Sequence, residues 1–335
     1  MMVWVDAACN INYASFYIVG LRRLFGRGNV RFCDRPFAGL RYDTETHILA
    51  FVVDGRRYVI DFADSNKVFF ESFVKWADCY GKVNYRKECL PSAYQGKIIP
   101  VGANFGMACY GNDRYSAVFW SLWHYALIHK RLNYGFGAYL SPYLWVYKRP
   151  EFKLSPLSDS GSIFFVARYW RGQQHVNDAR IAFIRACRRL DTEGVVSFRG
   201  GLVPDSKNCD VPEDVIFEKE IPFGEYVRLA ERSMLVFNTP SYHKCHGWRL
   251  PEYLCQGKVI LSTPWENELP VPLRHGENIY FTAADEDAIY EAVKELAGSR
   301  GLRTRLSDGA RDYWNEWADP AACLRKFFTD ANKMI

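Results

Sequence analysis

The sequence predicts an α/β protein with two domains, each built on a largely parallel sheet with helices on both faces. The chain has 335 residues, which is more than one hydrophobic core usually organises. In both halves short β-branched runs alternate with longer amphipathic segments. A composition of 49% hydrophobic and 24% charged residues is typical of a folded chain and excludes extended disorder. Ligands are expected at the carboxyl ends of the strands, in a cleft between the domains.

The first half starts with a strand over 2–7, an amphipathic helix over 13–25 and a strand over 29–33. Further short strands are expected at 58–62 and 98–101, and polar loops follow both. The turn after the first strand lacks the Gly-x-Gly-x-x-Gly pattern that lets a backbone approach a dinucleotide pyrophosphate. A nicotinamide-dependent dehydrogenase is therefore disfavoured.

Proline, serine and glycine are concentrated between Tyr139 and Gly161, which predicts the domain linker there. The domains are expected at 1–150 and 160–320, with a final helix at 321–335 that can pack back on the first domain. Strands and helices then alternate regularly. The strands expected in the second domain are 163–167, 195–198, 234–238, 258–262 and 279–281, and the helices are 177–190, 224–232, 251–255, 285–297 and 303–317.

The sequence also indicates the cellular compartment. No basic segment followed by an apolar run opens the chain, and the most apolar helix, at 115–132, is too polar to span a bilayer. The ten cysteines have irregular spacings, which favours free thiols in a reducing compartment. We therefore expect a cytoplasmic protein, with peripheral contact at the inner face of a membrane as an open alternative.

The net charge of +5 is mild, and no nucleic-acid partner is expected. A group of arginines near the N-terminus forms either a solvated face or a surface that attracts anionic lipid or a phosphate-bearing acceptor. The group comprises Arg22, Arg23, Arg27, Arg31 and Arg35. No metal site is expected, because His243-Lys244-Cys245-His246 lacks the separated ligand pairs of a closed zinc site. Asp285 and Asp287 begin an amphipathic helix, where acidic residues serve as cap and dipole partners.

The segment Gly247-Trp248-Arg249-Leu250-Pro251-Glu252 carries the chemistry. Pro251 suits the first turn of a helix, and Arg249 and Glu252 are three residues apart, so they share one helix face. A carboxylate there can accept both hydroxyls of a ribose, while the guanidinium group and the free amides of the helix start can hold a diphosphate. In the alternative interpretation, Glu252 only complements the helix dipole and pairs with Arg249.

The context of this segment resembles a known family. A glycine and a buried strand follow at 256–262, and Gly276-Glu277-Asn278 precedes the next strand. Residues 223–320 thus resemble the C-terminal domain of GT-B glycosyltransferases, where the segment reads Arg-x-x-Glu, apolar helix, Gly-Lys-x-Val-Ile and Gly-Glu-Asn. The run at 222–226 also resembles bacterial relatives of exostosin-type transferases. The resemblance implies two Rossmann-like domains that face each other across a cleft.

The resemblance also implies roles for single residues. Glu252 would bind the ribose of a nucleotide-sugar donor, and the start of its helix would face the diphosphate. Many retaining members carry a second glutamate where this chain has Lys244, which leaves the stereochemistry open; Lys244 either contacts phosphate or is a solvated loop lysine. Independently of the resemblance, Arg168, Trp170 and Arg171 follow the strand that ends at Ala167, where they suit phosphate charge and base stacking; the alternative for the two arginines is an interdomain salt bridge. The donor-binding residues expected are Arg168, Arg171, Lys244, Gly247, Trp248, Arg249 and Glu252.

The base that activates an acceptor hydroxyl is expected in the first domain. The candidates Asp6, Asp61 and Asp64 lie at strand ends, where aspartates also cap helices and form turns. Asp64 is favoured because it lies in a polar loop, whereas Asp61 falls within the strand. Asn104 and Lys82 are further residues for the acceptor side. The many aromatic residues of 115–147 are interpreted mostly as core, with the rest stacking on acceptor sugars or resting on a membrane interface.

The sequence thus predicts a metal-independent glycosyltransferase, of the kind used in polysaccharide biosynthesis. It would move a sugar from a nucleotide-diphosphate donor to a glycan or lipid-linked acceptor, with no cofactor besides the donor substrate. Two alternatives stay open. One is a nucleotide-sugar epimerase or sugar phosphorylase of the same fold, and the other is a non-catalytic two-lobed protein that binds a sugar or nucleotide.

Overall fold

The computed structural model describes residues 1–111, 113–204, 210–219 and 221–334. The chain divides into two compact units. Unit 1 comprises residues 1–151, 267–272 and 316–335, and unit 2 comprises residues 152–266 and 273–315.

The strands are β1 (Val3–Asp6), β2 (Val30–Cys33), β3 (Ile48–Val53), β4 (Arg56–Asp61), β5 (Cys79–Lys82), β6 (Ile98–Pro100), β7 (Ser162–Arg168), β8 (Ser197–Val203), β9 (Val236–Asn238), β10 (Ile260–Ser262) and β11 (Tyr280–Phe281). The α-helices are α1 (Ile11–Phe25), α2 (Glu71–Trp76), α3 (Arg114–Ile128), α4 (Phe136–Val146), α5 (Gln174–Thr192), α6 (Phe223–Arg232), α7 (Arg249–Cys255), α8 (Glu286–Gly298), α9 (Arg300–Tyr313) and α10 (Pro320–Asn332).

Unit 1 contains a six-stranded sheet in the order β2-β1-β3-β4-β5-β6. β3 runs antiparallel to both β1 and β4, and the remaining pairs are parallel. Asp54 and Gly55 connect β3 to β4 with φ angles of 48° and 81°, the left-handed pair that a tight hairpin turn requires. β3 and β5 are absent from the strands expected from the sequence. The structure therefore adds a hairpin to the predicted parallel arrangement of unit 1.

Helices cover the sheet of unit 1. α1 packs against α4 and α10, and a Cβ at Gly20 would lie 2.3 Å from the carbonyl oxygen of Pro320, so glycine permits this close helix contact. α4 occupies 136–146, where the first part of the linker was predicted. This part of the linker prediction is wrong: Tyr139, Tyr143 and Val146 are buried, and their packing outweighs the backbone hydrogen bond lost at Pro142.

Unit 2 is an α/β unit with parallel strands. β7 pairs with β8, and β9, β10 and β11 form a second parallel set. The amide of Met234 joins the two sets by donating to the carbonyl oxygen of Ser162 at 2.7 Å. In the core, the rings of Phe183 and Phe237 stack with centroids 4.1 Å apart, and α5 packs on α8. The α/β class predicted from the alternating pattern is confirmed.

β7 contacts both β8 and β9, so the chain leaves β7 toward β8 on one side and returns to β9 on the other. Such a reversal of strand order opens a crevice at the carboxyl ends of the strands. Across the described ranges, no helix combines the length and apolar character that crossing a bilayer requires.

Candidate functional site

The loops that follow β7 and β9 meet in unit 2. The backbone amide of His243 donates to Oε1 of Gln173 at 3.0 Å, and the rings of Trp170 and Tyr242 lie 6.4 Å apart edge to face. Asn177 of α5 fixes the first loop: its Oδ1 accepts from the amide of Trp170 at 3.0 Å, and its Nδ2 donates to the carbonyl oxygen of Trp170 at 2.7 Å. The loops after β7 and β9 therefore form one surface.

A cavity of about 310 Å³ opens beside these loops, at the carboxyl ends of β7 and β8. Its lining residues are Val166, Ala167, Arg168, Val203, Ile221, Tyr226 and Arg249. Two of the arginines expected to bind a donor, Arg168 and Arg249, thus line one cavity, although they lie on different elements. Tyr226 of α6, the last residue of the 222–226 run, supplies an aromatic wall.

Arg249 and Glu252 interact on one face of α7, as their spacing predicts. Nη1 of Arg249 lies 3.3 Å from Oε2 of Glu252, and its guanidinium carbon lies 3.9 Å from the centroid of the Tyr226 ring. Glu252 is only 3% exposed. Since α7 has only seven residues, its dipole is short, and the positive charge of the site comes from side chains.

Arg180 of α5 is a further cation at this site that the sequence reasoning missed. It is 8% exposed, its Nη1 donates to the carbonyl oxygen of Arg168 at 2.7 Å, and its guanidinium carbon lies 4.0 Å from the ring centroid of Trp170. Burial lowers its pKa to about 10, and the nearby charge of Arg249 acts in the same direction. Among the described residues, no carboxylate forms an ion pair with Arg180.

A buried cation without a counter-ion is unfavourable, and a bound anion would supply that counter-ion. The sequence signal for Arg180 was an arginine on the apolar face of α5, since Val176, Phe183 and Cys187 on the same face are buried.

The other donor-side residues expected from the sequence do not line the cavity. Arg171 is exposed in the loop after β7. Lys244 is exposed, and its Nζ lies 2.6 Å from Oε1 of Glu266. His243 and Lys244 both have positive φ angles, 52° and 63°, which is uncommon for residues with a side chain and costs conformational energy.

Gly247 and Trp248 form the entry to α7. A Cβ at Gly247 would approach the Cβ of Ser241 to 3.3 Å, so the glycine allows the loop to fold closely on itself. Trp248 occupies the N-cap position of α7 and makes no side-chain capping bond. Both residues therefore shape the loop beside the cavity.

Lys258, in the Gly-Lys element of the resemblance, has a structural role. Its Nζ donates to the carbonyl oxygens of Glu231 at 2.7 Å and Ser233 at 2.8 Å. Burial lowers its pKa to about 8. The preceding Gly257 has a φ of 62°, which glycine adopts without strain. This pair fixes the turn between α7 and β10.

Two of the three candidate bases in unit 1 are buried ion-pair partners. Asp6 is fully buried, and its Oδ1 lies 2.6 Å from Nη2 of Arg131; burial raises the pKa of Asp6, and Arg131 opposes part of that rise. Asp61 is 1% exposed and accepts from Nζ of Lys82 at 2.9 Å and from the hydroxyl of Tyr80 at 2.7 Å. Neither carboxylate is placed to take a proton from an external hydroxyl. They instead fix the loops after β1 and β4.

Asp64 is exposed in the loop after β4. Nδ2 of Asn84 donates to the carbonyl oxygen of Ala63 at 2.9 Å, which anchors the loop next to Asp64. Burial and the charge of Asp64 together raise the pKa of Tyr13. The ring of Tyr13 lies 4.9 Å from that of His47. Asp64 therefore lies close enough to Tyr13 for its charge to act on that hydroxyl.

Unit 1 has its own cavity of about 310 Å³ at the carboxyl end of β1 and the start of α1. Polar and aromatic side chains share its lining, which is Cys9, Asn10, Ile11, Asp43, Thr44, Tyr134, Ala138, Tyr139, Ser141 and Pro142. Hydroxyl, carboxylate and ring surfaces of this kind suit a polyhydroxylated ligand.

The described part of the chain has neither a cluster of metal-ligating side chains nor a disulfide. No group of three or more His, Cys, Asp or Glu side chains that could hold a metal ion occurs within the described ranges. Oδ1 of Asp285 accepts from the amide of Ala288 at 2.9 Å, so this aspartate caps α8. Every cysteine in the described part of the chain is a free thiol.

Comparisons with family models and with curated proteins each gave no match. Among solved structures, the chain is similar to the C-terminal domain of a glycosyl transferase group 1 family protein, LpcC, from Francisella tularensis, with 14% identity, a TM-score of 0.35 and coverage of 49% of this chain and 94% of that chain.

The chain is also similar to HepE from Anabaena in complex with UDP, with 11% identity, a TM-score of 0.37 and coverage of 79% and 68% of the two chains. A glycosyltransferase from Rickettsia africae ESF-5 is similar with 9% identity, a TM-score of 0.38 and coverage of 81% and 68%. Because these TM-scores and identities are low, the function proposed below depends on the residues of the site and not on these likenesses.

Proposed function

We propose that this protein is a GT-B glycosyltransferase that binds a nucleotide-diphosphate sugar in unit 2 and transfers the sugar to a glycan or lipid-linked acceptor. One observation carries the proposal: three arginines, Arg168, Arg180 and Arg249, converge at the carboxyl ends of β7 and β8, next to the buried carboxylate of Glu252. Cations and a buried carboxylate together fit a ligand that has both a diphosphate and a ribose.

The arginines have a chemical task in this proposal. Glycosyl transfer leaves a nucleoside diphosphate, so negative charge develops on the leaving phosphate in the transition state. Guanidinium groups held in place before the reaction stabilise that charge without reorganisation. We propose that Arg168, Arg180 and Arg249 do so here and that the reaction needs no divalent cation. Glu252 accepts the ribose hydroxyls and so sets the position of the donor.

We propose Asp64 as the base that activates the acceptor hydroxyl. It is exposed in the loop after β4, whereas Asp6 and Asp61 hold buried cations. The free thiols of the described residues support activity in a reducing compartment such as the cytoplasm. We propose that the acceptor is a growing polysaccharide.

The first test is a thermal-shift screen with UDP, GDP, CDP, ADP and dTDP in the absence of metal. A ligand that binds only the folded protein raises its stability with the logarithm of saturation, so we expect at least one diphosphate to raise Tm. Arg180→Met should abolish that rise, because it removes a buried cation of the site. Arg228→Met, which replaces an exposed arginine of α6, is the matched control and should leave the rise intact.

The second test separates the possible activities. Nucleoside diphosphate should be released from the matching nucleotide sugar at a rate that depends on acceptor and is unaffected by EDTA. Loss of turnover on chelation would overturn metal independence. Interconversion of donors without acceptor would show an epimerase, phosphate-dependent cleavage a phosphorylase, and binding without turnover a two-lobed binding protein. No stabilisation by any diphosphate would overturn the donor site itself.

A further inference from the structure

The outer face of α3 in unit 1 is unusually apolar. Five exposed side chains form this face, which we call the apolar stripe: Tyr115 (88% exposed), Phe119 (60%), Leu122 (51%), Trp123 (57%) and Leu127 (38%). Their spacing of three and four residues places them on one side of the helix. The opposite side, with Ala117, Ser121, His124 and Ile128, is buried. The large apolar side chains of α3 therefore face solvent, and its smaller side chains face the interior of unit 1.

An exposed apolar face of this kind indicates a binding surface. Single exposed apolar residues are ordinary on protein surfaces, but a contiguous aromatic patch marks an interaction site. Trp145 of α4, which packs on α3, is also 65% exposed. Tryptophan and tyrosine combine an apolar ring with a polar edge, and they are favoured where an apolar phase meets water.

Charge identifies the kind of occupant. From Arg114 to Pro150 the chain has no aspartate or glutamate, whereas it has five lysines and arginines. Arg131 is buried with Asp6, but Arg114 and Lys130 are exposed at the two ends of α3 and Lys148 is exposed after α4. Asp113, the N-cap of α3, is exposed beside Arg114 and offsets its charge. The net positive charge around the apolar stripe therefore comes from Lys130 and Lys148, and it favours a partner with negative charge around an apolar interior.

We propose that the apolar stripe docks on an anionic phospholipid bilayer, with α3 lying in the plane of the membrane interface. A second copy of this chain fits less well. In a two-fold interface the apolar stripe would meet itself, and each copy would bring three exposed cations, Arg114, Lys130 and Lys148, against the one exposed carboxylate at the start of the helix, Asp113. A bilayer accepts the aromatic rings and supplies the counter-charge.

This inference goes beyond the proposed function, because vesicle binding needs neither donor nor acceptor. If both hold, an acceptor carried on a lipid reaches the protein at the surface on which α3 rests. The sugar chemistry of unit 2 and the docking of α3 can therefore be tested separately on the same preparation.

The experiment is co-sedimentation of the full chain with vesicles of phosphatidylcholine, with and without phosphatidylglycerol. We expect binding to the phosphatidylglycerol vesicles that weakens as salt is added. Phe119→Ser/Trp123→Ser should weaken it by about tenfold or more. Phe69→Ser is the matched control, because Phe69 is 62% exposed in unit 1 outside the apolar stripe, and it should bind as the parent does. Lys130→Gln/Lys148→Gln should remove most of the preference for phosphatidylglycerol.

Three results would overturn the docking proposal: no binding to the anionic vesicles, equal loss in the Phe69 control, or a stripe variant that converts a dimer to a monomer while vesicle binding persists. The Tm of each variant without ligand serves as the folding check. Vesicle binding without a diphosphate shift would refute the donor site alone, and a diphosphate shift without vesicle binding would refute the docking alone.

Discussion

Replacement of Glu252 by glutamine tests the donor site most directly. Glu252 is 3% exposed, and its Oε2 lies 3.3 Å from Nη1 of Arg249. Glutamine keeps the length of the side chain and one oxygen acceptor but removes the charge. A hydrogen bond to a charged group contributes about 1.5–3 kcal/mol and a neutral one about 0.5–1.5 kcal/mol. The expected loss is therefore about 1–2 kcal/mol, or roughly 5- to 30-fold in the Kd of a nucleoside diphosphate.

The loss of charge also releases Arg249, which could then hold the diphosphate more tightly and mask the effect. We therefore compare the tightest ligand among UDP, GDP and ADP with its 2′,3′-dideoxy counterpart by isothermal titration calorimetry. Both ligands have the same diphosphate, so the change at Arg249 cancels between them in a double-mutant cycle. Only the ribose hydroxyls differ.

We expect Glu252→Gln to weaken the ribonucleotide and to leave the dideoxy ligand nearly unchanged. Glu291→Gln, an exposed glutamate of α8, is the control for the loss of one negative charge from unit 2. An equal loss for both ligands would refute ribose binding, because Glu252 would then act through Arg249 or through the fold.

Three further predictions concern unit 1. Asp64→Asn should lower kcat by about 10²–10⁴-fold with donor binding intact, since it removes a general base; single-turnover kinetics with unchanged rate would exclude Asp64. Lys82→Met should lower the free energy of unfolding in urea by about 3–5 kcal/mol, because it leaves Asp61 buried and unpaired. The double variant Asp61→Asn/Lys82→Met should recover most of that loss. An equal loss of stability in both variants would contradict the ion-pair assignment. Burial, aided by the charge of Arg22, lowers the pKa of His124 to about 3 from 6.5. Just below pH 6.5 only the unfolded state gains a proton, so the free energy of unfolding should fall by about 2 kcal/mol between pH 6.5 and 5. His124→Phe should remove that dependence on pH, and an unchanged dependence would assign it to another group.

The sequence predicted unit 2 well because its signals are local. Short buried strands alternate with amphipathic helices, and polar residues follow β7 and β9 directly. In a parallel sheet all such loops lie at one edge, so residues far apart in the chain could be placed together without a structure. The cavity that holds both Arg168 and Arg249 is the outcome of that rule.

The β3–β4 hairpin of unit 1 could not be predicted from the local sequence patterns used for unit 2. β3 is buried along its whole length, so it reads as a continuous apolar run without the period that separates a strand from a helix. Asp54-Gly55 is a strong turn signal that the sequence reasoning did not use. Its antiparallel pairing with both β1 and β4 depends on the whole sheet, and no pattern within six residues specifies it.

The burial of charged residues could not be predicted from local sequence either. Asp6 pairs with Arg131, which lies 125 residues away in the chain, so nothing near Asp6 distinguishes a buried ion-pair partner from a catalytic base. Arg180 is one of several arginines on α5. The helical period places it on the apolar face with Val176 and Phe183, but its contact with Trp170 depends on tertiary packing that no local pattern specifies.

The buried charge of Arg180 also bears on turnover. A cationic site that favours the departing diphosphate in the transition state favours the same diphosphate as product, because both present the same phosphate oxygens to the same guanidinium groups. We expect the nucleoside diphosphate to be a competitive inhibitor and its release to limit the steady-state rate. Addition of a phosphatase that removes the released diphosphate should then increase the yield of glycosylated product, and buffers that contain phosphate should slow the reaction.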